Sequence, residues 1–265
     1  ANNWTAVSFG AAGHVMATAA DAAVAAYSTD SGATWTQRTT PVFFKFIIYV
    51  GGLWIVIPDT STTSYYTSPS GDDGSWTTRT LPAAPTHFFY GAVAQNGTAV
   101  LCYGSYNGWV LISTDGTTWT QRTTPVTPVA WLGAAVNSSG HIYIFQDSAT
   151  TACISTDAGA NWTPFTLPRG FSNMSAVSSG DEVIVVPAND TAKYLRITGT
   201  TATQYDMPSG VYGRGASANA THVIAPRTTS ANSIVRIGRY RYDAANQFAV
   251  PTVPTPPGVA AFIKA

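Results

Sequence analysis

The sequence is poor in charge. Charged residues make up 10% of the 265-residue chain, against about 25% in ordinary soluble domains. Glu occurs once, at Glu182, and Lys three times. Long helices depend on Glu, Lys, Leu and Ala, so this composition argues against a mainly helical protein. The 13 basic residues only balance the 13 acidic ones. This balance argues against nucleic acid and acidic membranes as main partners, since both need clustered Lys and Arg.

Cysteine and long apolar runs are scarce as well. Cys102 and Cys153 are the two cysteines, too few for a disulfide scaffold. They fall on different strands of neighbouring repeats, which predicts free buried thiols. No apolar run approaches the roughly 18 residues that a membrane-spanning helix needs.

Thr, Ala, Val, Ser, Gly and aromatic residues are abundant instead. The chain holds 8 Trp, 13 Tyr and 11 Phe, residue types that suit pleated, half-buried surfaces. Its 23 Gly and 16 Pro are scattered between short apolar runs. This pattern predicts an all-β protein that is rich in turns.

A short motif repeats along the chain. Ser-Thr-Asp-Ser-Gly-Ala-Thr-Trp at 28–35 returns as Ser-Thr-Asp-Ala-Gly-Ala-Asn-Trp at 155–162, with a copy one residue shorter at 113–119 and a looser one at 70–76. The four Trp residues are 41 to 43 positions apart. Fixed periods of this length indicate a repeat architecture.

Each repeat contains four short segments that read as strands. In the first repeat they are 5–9, 15–19, 24–28 and 35–39, and runs like the second and third segments recur to give six units. The sequence therefore predicts a six-bladed β-propeller with four-stranded antiparallel blades, with seven blades as the second choice. A sandwich and a β-helix are the alternatives. We expect the propeller to span residues 1–248 and a Pro-rich tail to span 249–265.

The motif has clear physical roles in a turn between the third and fourth strands. Asp accepts hydrogen bonds from backbone N–H groups, and Gly supplies a positive φ. The pattern Ser-x-Asp-x-Gly-x-x-Trp resembles the Asp box of the sialidase-like propellers, and the resemblance implies that these turns lie away from the active site. The predicted structural residues are Asp30, Gly32, Trp35, Asp73, Trp76, Asp115, Trp119, Asp157, Gly159 and Trp162.

The opposite face is the predicted binding face. In an up-and-down blade, loops from second to third strands share one face with the loops that lead into the next blade. Carboxylates there suit sugar hydroxyls or a cation, although Asp is also a common turn residue. The candidate ligand-binding residues are Asp21, Asp59, Tyr106, Trp109, Asp147, Asp190 and Arg227. The loops between blades add Phe43, Phe44, Lys45, His87, Phe88, Trp131, Arg169, Phe171, Tyr212 and Arg214.

The sequence argues against a sialidase. That chemistry needs three Arg residues around a carboxylate and a Tyr nucleophile paired with Glu. Here Arg38 and Arg122 repeat with the strands, which favours a structural role, and Glu182 starts a second strand. A glycosidase with two Asp residues stays open. The four His residues occur singly, so we predict no metal site, no cofactor and no catalytic residue.

The C-terminal segment from Tyr242 to Ala265 carries a Val-Pro step, a Pro-rich stretch and a closing Phe-Ile-Lys-Ala. It resembles the ending of many phage tail-fibre and tail-tip proteins. The resemblance implies a non-enzymatic adhesin on the virion tail, which binds a host cell-surface glycan or protein receptor and contacts other tail proteins as a homotrimer. A glycan hydrolase and a cellular Asp-box protein (an assembly factor or lectin) remain the alternatives.

Overall fold

The described strands form antiparallel sheets that follow one another along the chain. The computed structural model describes residues 4–19, 22–58, 63–82, 89–103, 108–126, 129–171, 174–187, 193–206, 217–218, 222–226 and 234–238. Within these ranges there are five four-stranded sheets and one three-stranded sheet. The prediction of an all-β protein with four-stranded antiparallel sheets is confirmed. The predicted tail at 249–265 lies outside the described residues.

The strand bounds repeat with the sequence motif. Sheet 1 contains β1 (Trp4–Phe9), β2 (Val15–Ala19), β3 (Val24–Ser28) and β4 (Thr36–Thr39). Sheet 2 contains β5 (Phe44–Val50), β6 (Leu53–Pro58), β7 (Ser64–Ser68) and β8 (Thr77–Thr80). Sheet 3 contains β9 (Phe89–Gln95), β10 (Thr98–Tyr103), β11 (Trp109–Ser113) and β12 (Thr120–Thr123).

The later sheets follow the same order. Sheet 4 contains β13 (Trp131–Val136), β14 (Ile142–Gln146), β15 (Thr151–Ser155) and β16 (Thr163–Thr166). Sheet 5 contains β17 (Met174–Ser179), β18 (Glu182–Pro187), β19 (Lys193–Thr198) and β20 (Thr201–Asp206). The three-stranded sheet contains β21 (Ser217–Ala218), β22 (His222–Pro226) and β23 (Ile234–Gly238).

The first strands of consecutive sheets lie side by side. β1 contacts β5, β5 contacts β9, β9 contacts β13, and β13 contacts β17, which in turn contacts β21. The sheets therefore stack face to face with their first strands innermost, which is the arrangement of a propeller. The fourth strands form the outer edge, where the Thr and Gln side chains of β4, β8 and β12 are exposed.

The core lies between adjacent sheets, in four apolar clusters that join sheets 1 to 5 in sequence. A sheet that is covered on both faces needs apolar residues at every position of its middle strands, and all five residues of β2 are buried. This explains the continuous apolar runs at the second strands. Trp54 and Trp131 are the largest fully buried side chains.

A β-bulge occurs at the start of the first strand in sheets 1 to 4. The register shifts leave one extra residue on each first strand, at Thr5, Lys45, Tyr90 and Leu132. Bulges bend a strand and are common beside binding sites and at barrel rims. The sequence carries no signal for them, since the alternation of residues is hidden where both faces are buried.

The connections divide between two faces. In sheet 4, the turns at 137–141 and 156–162 lie on one face, called here the turn face. The loops at 147–150 and 167–171 lie on the opposite face, called the loop face. The described turns of sheets 1, 2, 3 and 5 lie on the turn face by the same rule, since each of these sheets has its strands in chain order.

Candidate functional site

The Asp30 turn, between β3 and β4, is closed by its own side chains. Asp30 Oδ1 accepts the Thr34 N–H at 2.8 Å and the Ser28 hydroxyl at 2.7 Å, while Oδ2 accepts the Thr34 hydroxyl at 2.6 Å. The Trp35 indole N–H donates to the Gly32 carbonyl at 2.9 Å. The carboxylate therefore acts as a hydrogen-bond acceptor within the turn.

The turns of sheets 3 and 4 use the same chemistry. Asp157 accepts the Asn161 N–H at 2.8 Å and the Asn161 side-chain amide at 2.7 Å. Asp115 sits in the shorter copy, and its Oδ1 accepts the N–H groups of Thr117 and Thr118, both at 2.7 Å.

Hydrogen bonding keeps these carboxyl groups ionised. The hydroxyl and N–H of Thr34, with the Ser28 hydroxyl, lower the pKa of Asp30 to about 2. The N–H and side chain of Asn161, with the Ser155 hydroxyl, lower the pKa of Asp157 to about 2. The N–H groups of Thr118 and Thr117 hold the pKa of Asp115 well below its usual range.

The looser copy in sheet 2 binds the preceding sheet instead. Asp73 accepts the N–H of Thr39 in β4 at 2.8 Å. Arg38 Nη2 lies 2.8 Å from the Asp72 carboxylate, and Arg38 Nη1 donates to the Ser70 carbonyl at 2.9 Å. The guanidinium also lies 3.6 Å from the Tyr27 ring centroid. Arg38 thus joins sheets 1 and 2.

The turns between first and second strands also bind one another on the turn face. Asn96 Nδ2 donates to the Val136 carbonyl at 2.7 Å. Asn137 is 2% exposed, and its Nδ2 donates to the Asp181 carbonyl at 3.1 Å while its Oδ1 accepts the His141 N–H at 2.8 Å. Polar groups on this face are engaged in contacts between sheets.

Asp181 joins the same turns of sheets 4 and 5 through its carboxylate. Its Oδ1 accepts the hydroxyls of Ser138 and Ser139, each at 2.6 Å, and the Ser139 N–H at 3.0 Å. Hydrogen bonds from Ser138 and then Ser139 lower the pKa of Asp181.

Glu182 is bound by a neighbouring strand. Arg196 Nε donates to Glu182 Oε1 at 2.7 Å, and Arg196 Nη2 donates to Oε2 at 2.6 Å. The hydrogen bonds to Glu182 are the main cause of a raised pKa at Arg196. Both oxygens of the one Glu carboxylate are therefore committed to Arg196.

On the loop face, two of the seven candidate ligand-binding residues lie within the described chain, Trp109 and Asp147. The other five, Asp21, Asp59, Tyr106, Asp190 and Arg227, lie outside the described residues. His87, Phe88, Tyr212 and Arg214 lie outside them too.

Trp109 begins β11, and its side chain is buried among apolar residues between sheets 2 and 3. It is 8% exposed and packs in the cluster that contains Ile57 and Leu101. Such burial leaves the ring little surface for a ligand. Trp131 and Phe171 are likewise buried, so the aromatic side chains at these positions pack against the sheets.

Asp147 follows β14 on a loop that contacts both neighbouring connections. The Asp147 N–H donates to the Ala130 carbonyl at 3.0 Å, and the Ser148 N–H donates to the Phe171 carbonyl at 2.7 Å. The half-buried Asp147 carboxylate accepts the Ser148 hydroxyl at 3.0 Å. The loop is thus fixed between the segments that precede sheets 4 and 5.

An exposed proline follows the fourth strand at the same place in four sheets. Each proline comes directly after a buried residue and starts the loop to the next sheet; the four are Pro41, Pro82, Pro125 and Pro168. Phe43, in the first of these loops, is 56% exposed. Proline fixes φ and has no N–H, so the backbone is restricted at the start of each of these four loops.

In the part that the structure describes, no group of three or more His, Cys, Asp or Glu residues is arranged to hold a metal ion. Among those residues, no helix has the length and apolar character needed to cross a bilayer.

Several solved structures share this fold. An inactive virginiamycin B lyase from Staphylococcus aureus with quinupristin is similar at a TM-score of 0.71 and 15% identity, over 91% of this chain and 83% of that one. A streptogramin B lyase gives 0.69 and 16%, over 91% and 81%. YCF48 bound to D1 peptide gives 0.62 and 16%, over 84% and 75%. At these identities the likeness shows the fold alone.

The sequence comparisons place the chain among propellers. The search of curated proteins found no match. The profile of the DUF6242 beta propeller domain matches residues 39–171, which is half of the chain. These residues run from the end of sheet 1 to the segment that precedes sheet 5. The chain therefore belongs to the DUF6242 beta propeller domain family.

Proposed function

We propose that this protein is a phage tail adhesin, without enzymatic activity, that binds a host cell-surface receptor through its loop face. A glycan is the preferred receptor, and the protein then acts outside the cell on the virion tail. The observation that carries the proposal is the contrast between the faces. Turn-face carboxylates close turns or join sheets, whereas Asp147 stands half-buried on a fixed loop of the other face.

The phage assignment comes from the C-terminal segment, Tyr242 to Ala265, whose sequence resembles tail-fibre endings. We also assign the four motif turns to the Asp-box type. The geometry of Asp30 and Asp157, with a Ser hydroxyl and a downstream N–H on each carboxylate, supports that assignment.

We propose that the propeller has six blades. The three-stranded sheet continues the antiparallel chain order, and its first strand lies beside β17. We take it as the sixth blade. A crystal or cryo-electron microscopy structure with five or seven blades would contradict this count.

Binding is favoured over hydrolysis because the Glu and Arg side chains that a sialidase would use are engaged elsewhere. Glu182 is held by Arg196 through both oxygens, and Arg38 joins sheets 1 and 2. Neither group is placed as a sialidase requires. The fold itself does not decide the function, since similar structures include a lyase and YCF48 bound to a peptide.

A bacterial glycan array tests the function directly. We expect the full chain to bind lipopolysaccharide, capsular or teichoic acid glycans without releasing reducing ends. Release of sugars that Asp147→Asn abolishes would establish the glycan hydrolase instead. Absence of binding to every glycan, together with absence of the chain from phage particles, would favour the cellular assembly factor or lectin.

The adhesin is expected to be a homotrimer. Linked copies raise avidity about 10²–10⁴-fold, which a shallow sugar site requires. Sedimentation should show a trimer for the full chain and a smaller species for a chain that ends at Asn246, if the tail supplies the contact. A monomer in both experiments would contradict the oligomer.

A further inference from the structure

The loop Asp147–Thr150 is fixed more firmly than a connection of its length needs. It lies between the segment that precedes sheet 4, through Ala130, and the segment that precedes sheet 5, through Phe171. Asp147 and Phe171 also form an isolated parallel bridge. The backbone N–H groups of residues 147 and 148 both donate within the protein. A ligand at this loop therefore does not need to accept hydrogen bonds from them.

The same loop carries an unusual backbone. Ser148 has φ of +54°, whereas the other described non-glycine residues with positive φ, Ala12, Ser31, Asn96 and Ala158, all lie in turn-face turns. A left-handed conformation is strained in a residue that carries a Cβ. Its surroundings must hold Ser148 in place, and they do so through the Phe171 carbonyl.

A close approach brings Arg169 beside this loop. A Cβ on Gly170 would lie 2.8 Å from the backbone carbon and oxygen of Ala149, so the two segments touch only because residue 170 is glycine. Arg169 precedes it, with its guanidinium carbon 5.4 Å from the Phe171 ring centroid. The Arg169 guanidinium and the Asp147 carboxylate are therefore carried by adjoining loops, and the guanidinium lies beside the buried Phe171 ring.

We infer that Asp147, Ser148 and Arg169 form a subsite for a neutral sugar that presents two adjacent hydroxyl groups. This rests on the proposed function. Asp147 accepts from one hydroxyl, and Arg169 donates to its neighbour. The Ser148 hydroxyl, whose one proton goes to Asp147 at 3.0 Å, accepts from that neighbour through its oxygen. A carboxylate has about four lone-pair sites, and the Ser148 hydroxyl occupies one of them. An acidic sugar is disfavoured because its carboxylate would lie close to Asp147.

The fixed loop explains how so small a site can bind. Ordering side chains and loops on binding costs conformational entropy, which lowers affinity. At this loop the backbone is ordered before the ligand arrives. Preorganisation of this kind raises affinity without adding contacts.

The test uses the full-length chain on arrayed neutral polysaccharides (glucans, galactans and mannans) and arrayed polyuronates. We expect wild-type protein to prefer the neutral set. Asp147→Asn and Arg169→Gln should each weaken binding about tenfold or more, the effect of losing one hydrogen bond to a charged group. Gly170→Ala should also weaken binding, because the added Cβ displaces the loop while leaving all three polar groups.

Asp181→Asn is the matched control. It removes one carboxylate from a turn on the opposite face and keeps an acceptor oxygen for Ser138 and Ser139. Its binding should stay within about twofold of wild type. Thermal melting of each variant checks that it is folded. If Asp147→Asn fails to fold, Asp147→Ser takes its place.

The outcomes separate the two proposals. If the Asp147 and Arg169 variants bind glycans as well as wild-type protein does, the subsite is overturned and the adhesin proposal stays intact. Preference for polyuronates overturns the neutral-sugar assignment. Loss of binding in Asp181→Asn as well would show that the wrong face was chosen. If wild-type protein binds no glycan at all, the proposed glycan receptor fails first.

Discussion

At the scale of single residues, one acidic side chain does a different job in each setting. Asp30 and Asp157 accept hydrogen bonds within their own turns, whereas Asp73 and Asp181 accept them from a neighbouring sheet. The motif alone predicts the first role, because Asp in a short turn lies near its own downstream N–H groups. It does not predict the second, because that role depends on how the sheets stack.

Acid should destabilise the protein in a defined range. The pKa values of Asp30 and Asp157 fall from 3.8 to about 2 on folding. The unfolded chain therefore binds more protons between these values, and stability rises with pH there. The contribution is complete above about pH 4 and is lost as the pH falls toward 2.

Melting temperatures at pH 5, 4, 3 and 2 measure this effect. Asp157→Asn should melt below wild type at pH 5, since the amide forms weaker hydrogen bonds than a carboxylate. The difference should shrink as the pH falls toward 2. Curves that stay parallel over the whole range would show that the carboxylate contributes nothing through its charge.

At the scale of elements, the turn glycine makes room for the preceding sheet as well as closing its own turn. Gly159 has φ of +81°, and a Cβ there would lie 2.5 Å from Ile112 Cδ1 and 2.9 Å from Arg122 Cγ. Gly116 stands in the same relation to Ile55, at 2.7 Å. The turn of one sheet thus packs against the strands of the sheet before it, and glycine makes the approach possible.

Gly159→Ala and Gly97→Ala separate these two requirements. Gly97 has a similar φ of +75° but no atom within 4 Å of an added Cβ. Both changes should lose about 1–2 kcal/mol of unfolding free energy through the left-handed backbone. Gly159→Ala should lose about 1–3 kcal/mol more through overpacking. Urea unfolding gives both values, and equal losses would contradict the contact with Ile112.

The sequence predicted the strands better than the surfaces. The period of the Trp residues and the apolar runs indicated the four-stranded sheets, because strand length and turn chemistry are local properties. Trp109 shows where that reasoning stops. Its position next to a loop favoured a ligand contact, but its side chain is buried between sheets 2 and 3. Which face of a strand meets the next sheet depends on register, and the bulges alter it.

At the scale of the whole molecule, the apolar contacts that stabilise the fold lie between adjacent sheets. Cys102 on β10 and Cys153 on β15 are both free and buried, as predicted, in the cluster between sheets 3 and 4. Burial raises the pKa of each thiol to about 12. Because the thiolate is the reactive form, both groups report on whether these two sheets stay together.

We expect neither thiol to react with a disulfide reagent at pH 8 until the protein unfolds. The urea dependence of labelling should then coincide with loss of the β-sheet circular dichroism signal. Thr166→Cys, on the exposed fourth strand of sheet 4, supplies a positive control that reacts at once. Labelling of Cys102 or Cys153 at urea concentrations where the signal is intact would show that sheets 3 and 4 separate independently.

The side-chain amides of Asn96, Asn137 and Asn161, described above as donors in the turns, have a practical consequence. Each stands in an Asn-x-Ser/Thr sequence, the acceptor for N-linked glycans in secreted proteins. A glycan attached to Nδ2 during translocation would replace one of the two amide hydrogens and place a bulky group beside the bond to Val136, Asp181 or Asp157. In a eukaryotic secretory pathway, glycosylation of these Asn residues would therefore compete with formation of the turns. Expression in the bacterial cytosol avoids that competition.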